Sequence, residues 1–253
     1  MDAAIEYALW FVNNAAVGGN VCVFQNVDDV TVSGGGELKT LAWMVTGANT
    51  GSEIKFLWST SYNYVWFDYT PTLTQGITSA TLDSQVTLSK NQYGYVFSTL
   101  ASVAAGELSI KMDQSIPAAN NTVAGIGMSG AGTFAVAAQP NIAPEFTPAE
   151  TAELTYLINF NCDNEVNSVI NIENITNAAT ITFPYGVNTM TATYKNDGTW
   201  TVTNGAPPQS RSLTGSTSNN QYIYQPGIGI KKYESNDGTT KKVAASSLWQ
   251  DTF

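Results

Sequence analysis

The sequence predicts an all-β protein of two packed antiparallel β-sandwich units, followed by a C-terminal β-hairpin extension. Three observations carry that prediction. Between residues 54 and 66 the large side chains alternate: Ile54, Phe56 and Trp58 share one face, and Tyr62, Tyr64 and Trp66 keep the same parity. Charged residues make up only 12 % of the chain, so Thr, Ser, Asn and Gly supply the polar surface, which suits sheets. Turn signals recur between apolar runs. Asn196-Asp197-Gly198 and Asn236-Asp237-Gly238 both suit hairpins, because Asn, Asp and Gly tolerate positive φ.

Taken in order, Tyr7–Val12 and Val21–Gln25 read as strands, and Val27–Gly36 ends in a loop at Gly34–Gly36. Strands follow at Leu38–Thr46, along the aromatic alternation, and at Ser84–Ser89, Gly94–Leu100 and Gly106–Met112. The stretch Thr122–Asn141 is the centre of the chain. Its glycines Gly125, Gly127, Gly130 and Gly132 lack a Cβ, so this backbone can turn tightly or lie against a neighbour. Phe134, Val136 and Ala138 then alternate with Thr133, Ala135 and Ala137, giving a strand crowded on both faces and stopped by Pro140 and Pro144. The stretch reads as a tightly packed connection between two halves.

In the second half, Ala149–Thr155 is rich in helix formers and predicts a short helix. Tyr156–Asn161, Asn167–Ile172, Ala179–Phe183 and Val187–Lys195 read as strands, and Thr199–Thr203 returns from the first hairpin turn. Tyr7, Phe11, Val17 and Val23 align with Tyr156, Phe160, Val166 and Ile172 at constant offset, which hints at two similar sandwiches. The expected organisation is a first sandwich over residues 1–118, a second unit over 119–205 with a Gly-rich entry strand, and a linker with C-terminal extension over 206–253.

Catalytic signals fail on inspection. Gly125, Gly127 and Gly130 match G-x-G-x-x-G, but a strand pattern follows where a dinucleotide site needs a helix. The nucleophile elbow G-x-S-x-G breaks at Ala131. With no histidine, Ser-His-Asp and Cys-His catalysis are excluded, and the commonest zinc ligand is missing. Asp28 with Asp29, and Asp163 with Glu165, fall in loops and read as surface solubility, without the ligand density of a calcium loop. No catalytic, cofactor-binding or metal-ligating residue is assigned, and no cofactor is expected.

The run from Val123 to Asn141 (VAGIGMSGAGTFAVAAQPN), followed by Phe146-Thr147-Pro148, resembles the RhiA-like family of small bacterial proteins. NVCVFQ at Asn20–Gln25, LAW at Leu41–Trp43 and IKFLWS at Ile54–Ser59 are similar to the same family. The resemblance spans about residues 5–205 and leaves the C-terminal segment unmatched. It implies a fold and a bacterial source and carries no catalytic residue.

A net charge of −10 argues against nucleic acid and anionic membranes as partners, and no apolar run is long enough to insert in a membrane. Cys22 and Cys162, one in each half, read as two free buried thiols, with a disulfide between them as the alternative. The acidic start, with Asp2 and Glu6, lacks a basic signal-peptide region, so the expected location is the cytoplasm, or release without a cleaved signal. Asn120 and Asn174 match the N-glycosylation motif, which carries no meaning in that setting.

The expected function is that of a non-enzymatic structural protein, self-associating into a homo-oligomer or filament through edge strands and its C-terminal tail. Residues 1–205 hold 5 Lys or Arg against 17 Asp or Glu, a net −12, whereas residues 206–253 hold 5 against 3, a net +2. A basic tail on an acidic body, joined by the Gly205–Gln221 linker, is expected to dock on a neighbouring copy. Its expected assembly contacts are Tyr222, Tyr224, Lys231, Lys232, Lys241, Lys242, Leu248 and Trp249. The alternative is a carbohydrate-binding, lectin-like module that uses Trp58, Tyr62, Tyr64 and Trp66 as an exposed platform.

Overall fold

The aromatic alternation divides between two strands, β6 (Glu53–Ser59) and β7 (Tyr62–Asp68), and these belong to different sandwiches. The structure, a computed structural model, describes residues 5–149, 154–208 and 221–232. Among these the regular structure is almost entirely strand.

The first sandwich packs a six-stranded sheet on a four-stranded one. The six-stranded sheet runs β18 (Trp200–Asn204), β17 (Thr189–Lys195), β1 (Glu6–Asn14), β6, β19 (Gln221–Gln225) and β20 (Gly229–Lys232). Facing it are β16 (Ala178–Thr182), β15 (Thr155–Phe160), β2 (Gly19–Gln25) and β5 (Met44–Ala48). Alternate residues supply the core: Leu9 and Phe11, Val21 and Val23, Phe56 and Trp58, Tyr156 and Ile158. Trp43 fills the middle, its ring 5.3 Å from Trp58 and 5.9 Å from Tyr156.

In the second sandwich, β10 (Gly94–Ser102), β9 (Ser84–Asn91), β11 (Leu108–Met112), β14 (Glu145–Pro148) and β3 (Val30–Ser33) form one sheet. The opposing sheet is β4 (Lys39–Thr40), β13 (Ala131–Ala137), β12 (Thr122–Met128), β7 and β8 (Thr74–Ser79). Tyr64, Leu88, Ile110, Ile126, Phe134 and Phe146 meet between them.

The second sandwich is therefore built from two separate segments, β3–β4 and β7–β14, set within the first, and a boundary at residue 118 does not separate them. The chain changes sandwich four times, at Asn26–Asp29, at Leu41–Trp43, at Thr60-Ser61 and between β14 and β15, and periodicity does not mark these short segments. Pairing is mostly antiparallel, with parallel contacts of β1 to β17, β9 to β11 and β6 to β19. The constant-offset echo is no repeat: β1 and β15 face each other across one core, with Phe11 and Phe160 rings 5.5 Å apart.

The Gly-rich stretch is a hairpin in the middle of one sheet, not a connection between halves. Ser129 (φ 55°) and Gly130 (φ 81°) make its turn. Gly125 and Gly127 lie inside β12, where a Cβ would run into the backbone of Phe134 and of Ala131. Asn63 fixes the turn, donating from Nδ2 to Ala131 O (3.1 Å) and accepting from the Gly130 amide at 2.9 Å.

The expected strand Asn167–Ile172 is instead part of a strap, residues 161–177, over the outer face of the four-stranded sheet. Only Val169 bridges to Leu41, and Ile172–Asn174 is a 3-10 turn. Its backbone bonds go across to another segment: the Asn167 and Ile170 amides donate to Ala42 O and Thr40 O. The expected helix Ala149–Thr155 falls mostly outside the described residues, and Thr155 begins β15.

The C-terminal hairpin also departs from expectation. β19 lies parallel to β6 of its own chain, with Tyr222 opposite Ile54 and Tyr224 opposite Phe56. Tyr224 is 5 % exposed, its ring 5.5 Å from that of Phe56. The edge of β6 away from β1 offers both free backbone groups and the aromatic contact, and residues 221–232 lie along it.

Candidate functional site

One flank of the second sandwich differs from the rest of this acidic molecule. Among the described residues, strand β8 pairs only with β7, and β10 only with β9, so both are sheet edges. They lie close together, one from each sheet, along the same side of the sandwich. No charged residue occurs from Tyr69 to Leu82, which contains β8, or from Asn91 to Gly106, which contains β10. Asp68 and Lys90 bracket the flank in sequence at one end, and Asp83 and Glu107 at the other. Leu73, Ile77, Leu82, Tyr93 and Val96 are exposed along it, Tyr93 to 87 %.

Local packing explains why β8 is a strand despite its polar sequence. Gly76 sits opposite Trp66, whose indole occupies the space a side chain there would need. Ile77, one residue on, therefore points to the other face of the sheet. Native edges are commonly guarded by lysine, proline or a bulge. A bulge interrupts β10 between Ser98 and Ala101, but β8 has a regular register of six pairs with none of the three.

The aromatic residues expected as a platform are core. Trp58 and Tyr64 are buried in different sandwiches, Trp66 is buried beside Tyr95, and Tyr62 is half-buried between the two cores. Their common parity carries them inward from two different sheets, so they present no stacking surface to a sugar. Of the expected tail contacts, Tyr222 is half-buried and Tyr224 buried against β6, and Lys231 and Lys232 lie in β20. Lys241, Lys242, Leu248 and Trp249 fall outside the described residues.

Sequence reasoning missed Asp29. It reads as a surface acid but is 5 % exposed, at the end of the 3-10 turn Val27–Asp29 where the chain crosses between sandwiches. Its Oδ2 accepts the Thr155 amide at 2.8 Å and Gln25 donates to the same carboxyl. Burial pushes this carboxyl from 3.8 up to about 6, and the neighbouring charge of Asp28 adds to the rise. Tyr62 and Tyr156 feel the Asp29 charge, and both hydroxyls are raised above the usual tyrosine range mainly by burial. Trp58 Nε1 donates to Tyr156 Oη at 3.3 Å. Only the Asn26 cap, which accepts the Asp28 amide at 3.4 Å, signals this turn in the sequence.

A polar groove of about 540 Å³ lies at the end of the second sandwich, lined by Asp68, Thr70, Lys90, Ala118, Ala119, Asn120 and Asn121. Asn121 donates to the Thr70 hydroxyl at 2.7 Å, and Lys90 lies 4.6 Å over the Tyr95 ring. Among the described residues no group of three acidic or cysteine side chains converges as metal ligands, and no helix is long and apolar enough to cross a membrane.

Fold and flank together define a double β-sandwich protein with an uncharged edge that is unpaired among the described residues. The chain belongs to the RhiA family, whose match covers residues 4–205. It is similar to Protein RhiA of Rhizobium leguminosarum bv. viciae, at 27 % identity over 208 residues, covering 78 % of this chain and 86 % of that protein. No solved structure matches it. The family region ends before β19, so the hairpin on β6 lies outside it.

Proposed function

We propose that this is a non-enzymatic structural protein that self-associates into a homo-oligomer through its β8/β10 flank. The observation that carries the reading is the pair of adjacent edge strands without a charge, on a body of net −12. Two acidic bodies repel wherever their charged surfaces meet, and this flank lets them approach without opposing like charges. Edge pairing then supplies main-chain hydrogen bonds, and Leu73, Ile77 and Val96 supply apolar contact. A two-fold pairing of β8 with β8 closes as a dimer, whereas β8 against β10 of the next copy repeats head to tail into a ring or filament.

Size measurement by light scattering tests this, with Ile77→Lys as the perturbation. Lysine at an edge is a natural guard, so the variant is expected to be monomeric while the unmodified chain is not. An unmodified chain that stays monomeric at every concentration refutes the reading. A second reading, binding of a neutral polyhydroxyl ligand such as a glycan, is favoured by the groove around Lys90, Asn120 and Asn121. A monomer retained on immobilised polysaccharide, and released by Asn120→Ala, would replace the first reading with the second.

A further inference from the structure

Cys22 and Cys162, 140 residues apart in sequence, meet on the outer face of the four-stranded sheet. In β2, Val21 and Val23 point into the main core, so Cys22 points the other way. Asn161 follows β15 with a left-handed φ of 67°, which turns the chain back over β2. The amides of Asn161 and Cys162 both donate to Asn20 O, at 2.8 and 3.4 Å, and so fix the start of the strap. Both thiols lie in one buried cluster with Phe24, Ala42 and Ile170, Cys22 Sγ toward Val23 O at 4.0 Å and Cys162 Sγ toward Asn20 O at 3.8 Å. Both are free.

We propose that Cys22 and Cys162 are a redox site, joined as a disulfide on two-electron oxidation by a peroxide, which staples the strap to β2. The roles of the two sulfurs differ. Cys162 is the more acidic: the neighbouring Cys22 thiol and the Asn164 amide favour its thiolate and outweigh its burial and the nearby Asp163 charge. Cys22 is held well above the usual thiol range by the Cys162 thiol beside it and by burial. Cys162 is also the less buried, at 6 % against 1 % exposure.

The Cys162 thiolate therefore attacks the peroxide oxygen. The O–O bond breaks, the sulfur loses two electrons and becomes a sulfenic acid, and hydroxide leaves and takes up a proton as water. Cys22 then attacks the Cys162 sulfur. Its proton leaves with the sulfenic oxygen as a second water, and the S–S bond forms. Two thiols and one hydrogen peroxide give one disulfide and two waters.

The site shares no residue with the β8/β10 flank, so this inference stands apart from self-association. The test treats the reduced full-length protein with hydrogen peroxide, denatures it in an alkylating reagent and maps its peptides. The expected product is one Cys22–Cys162 linked peptide lighter by two hydrogens, with neither thiol alkylated and both restored by dithiothreitol. Cys22→Ser is expected to stop at a Cys162 sulfenic acid that dimedone labels, and Cys162→Ser to leave Cys22 alkylatable. The thermal midpoint of the unmodified protein is expected to rise by several degrees on oxidation, because the bond closes a long loop of the unfolded chain. Two thiols that remain fully alkylatable after peroxide overturn the proposal, as does a disulfide formed only between molecules.

Discussion

Replacing Asp29 with asparagine removes a buried charge but keeps an acceptor for the Thr155 amide. The magnitude follows from the structure. The carboxyl is raised from 3.8 to about 6 in the fold. A shift of roughly two units corresponds to about 3 kcal/mol, an upper bound because the protein relaxes around the charge. The sign is fixed by proton binding. Between about pH 4 and about pH 6 the folded carboxyl holds a proton that the unfolded one has released, so stability falls as pH rises through that window and then levels off. Asp29→Asn is thus expected to stabilise the protein by about 1–3 kcal/mol at neutral pH and by little at about pH 4. Urea unfolding of both proteins across this range gives the difference directly. Taking the difference matters, because hydrogen bonds hold Asp113 and Asp197 below the usual carboxylate range and push the total the opposite way. A variant whose pH profile runs parallel to that of the unmodified chain would refute the assignment.

Gly127→Ala places a methyl against the backbone of Ala131 and Gly132, with no flexible side chain to yield, and should cost about 3 kcal/mol or more in chemical denaturation. A Gly127→Ala variant as stable as the parent would mean that β12 and β13 do not approach as described. Truncation after Ala206 removes β19 and uncovers Phe56, so stability should drop by at least about 3 kcal/mol while oligomeric size stays the same. Loss of the oligomer on truncation would instead restore the tail as the assembly contact.

Strands with an apolar face were legible in the sequence. β6 and β15 bury alternate residues, so the periodicity that reveals them is the one that packs them, whereas β1 and β2 read as apolar runs and are buried on both faces. Their partners were not. Tyr62, Tyr64 and Trp66 continue the parity of Ile54, Phe56 and Trp58, yet the chain changes sandwich at Thr60-Ser61. Nothing in the alternation separates one long strand from two. Glycine was ambiguous for a related reason: Gly125 and Gly127 have no side chain so that β13 can come close, a condition set by a partner and not by local conformation.

The elements most relevant to function were the least legible. β8, with sequence TQGITS, has no large inward residue, because Trp66 from the neighbouring strand covers Gly76 and supplies the packing on its behalf. An edge strand whose apolar contact is lent by its partner has nothing to alternate, so it passes for a loop. Asp29 was hidden in the opposite way. Beside Asp28 it looks like surface charge, and only the crossing between sandwiches buries one of the pair and exposes the other. What could have been found is the absence of charge. In a chain with 20 acidic residues, Tyr69–Leu82 and Asn91–Gly106 are both uncharged, and they flank the strand-like run Ser84–Ser89. Two such intervals near one another imply a surface on which selection has not placed the solubilising charge that the rest of the body carries. On an edge, that omission leaves free backbone groups open to a second strand, which is why the self-association reading rests on β8 and β10 and not on the tail.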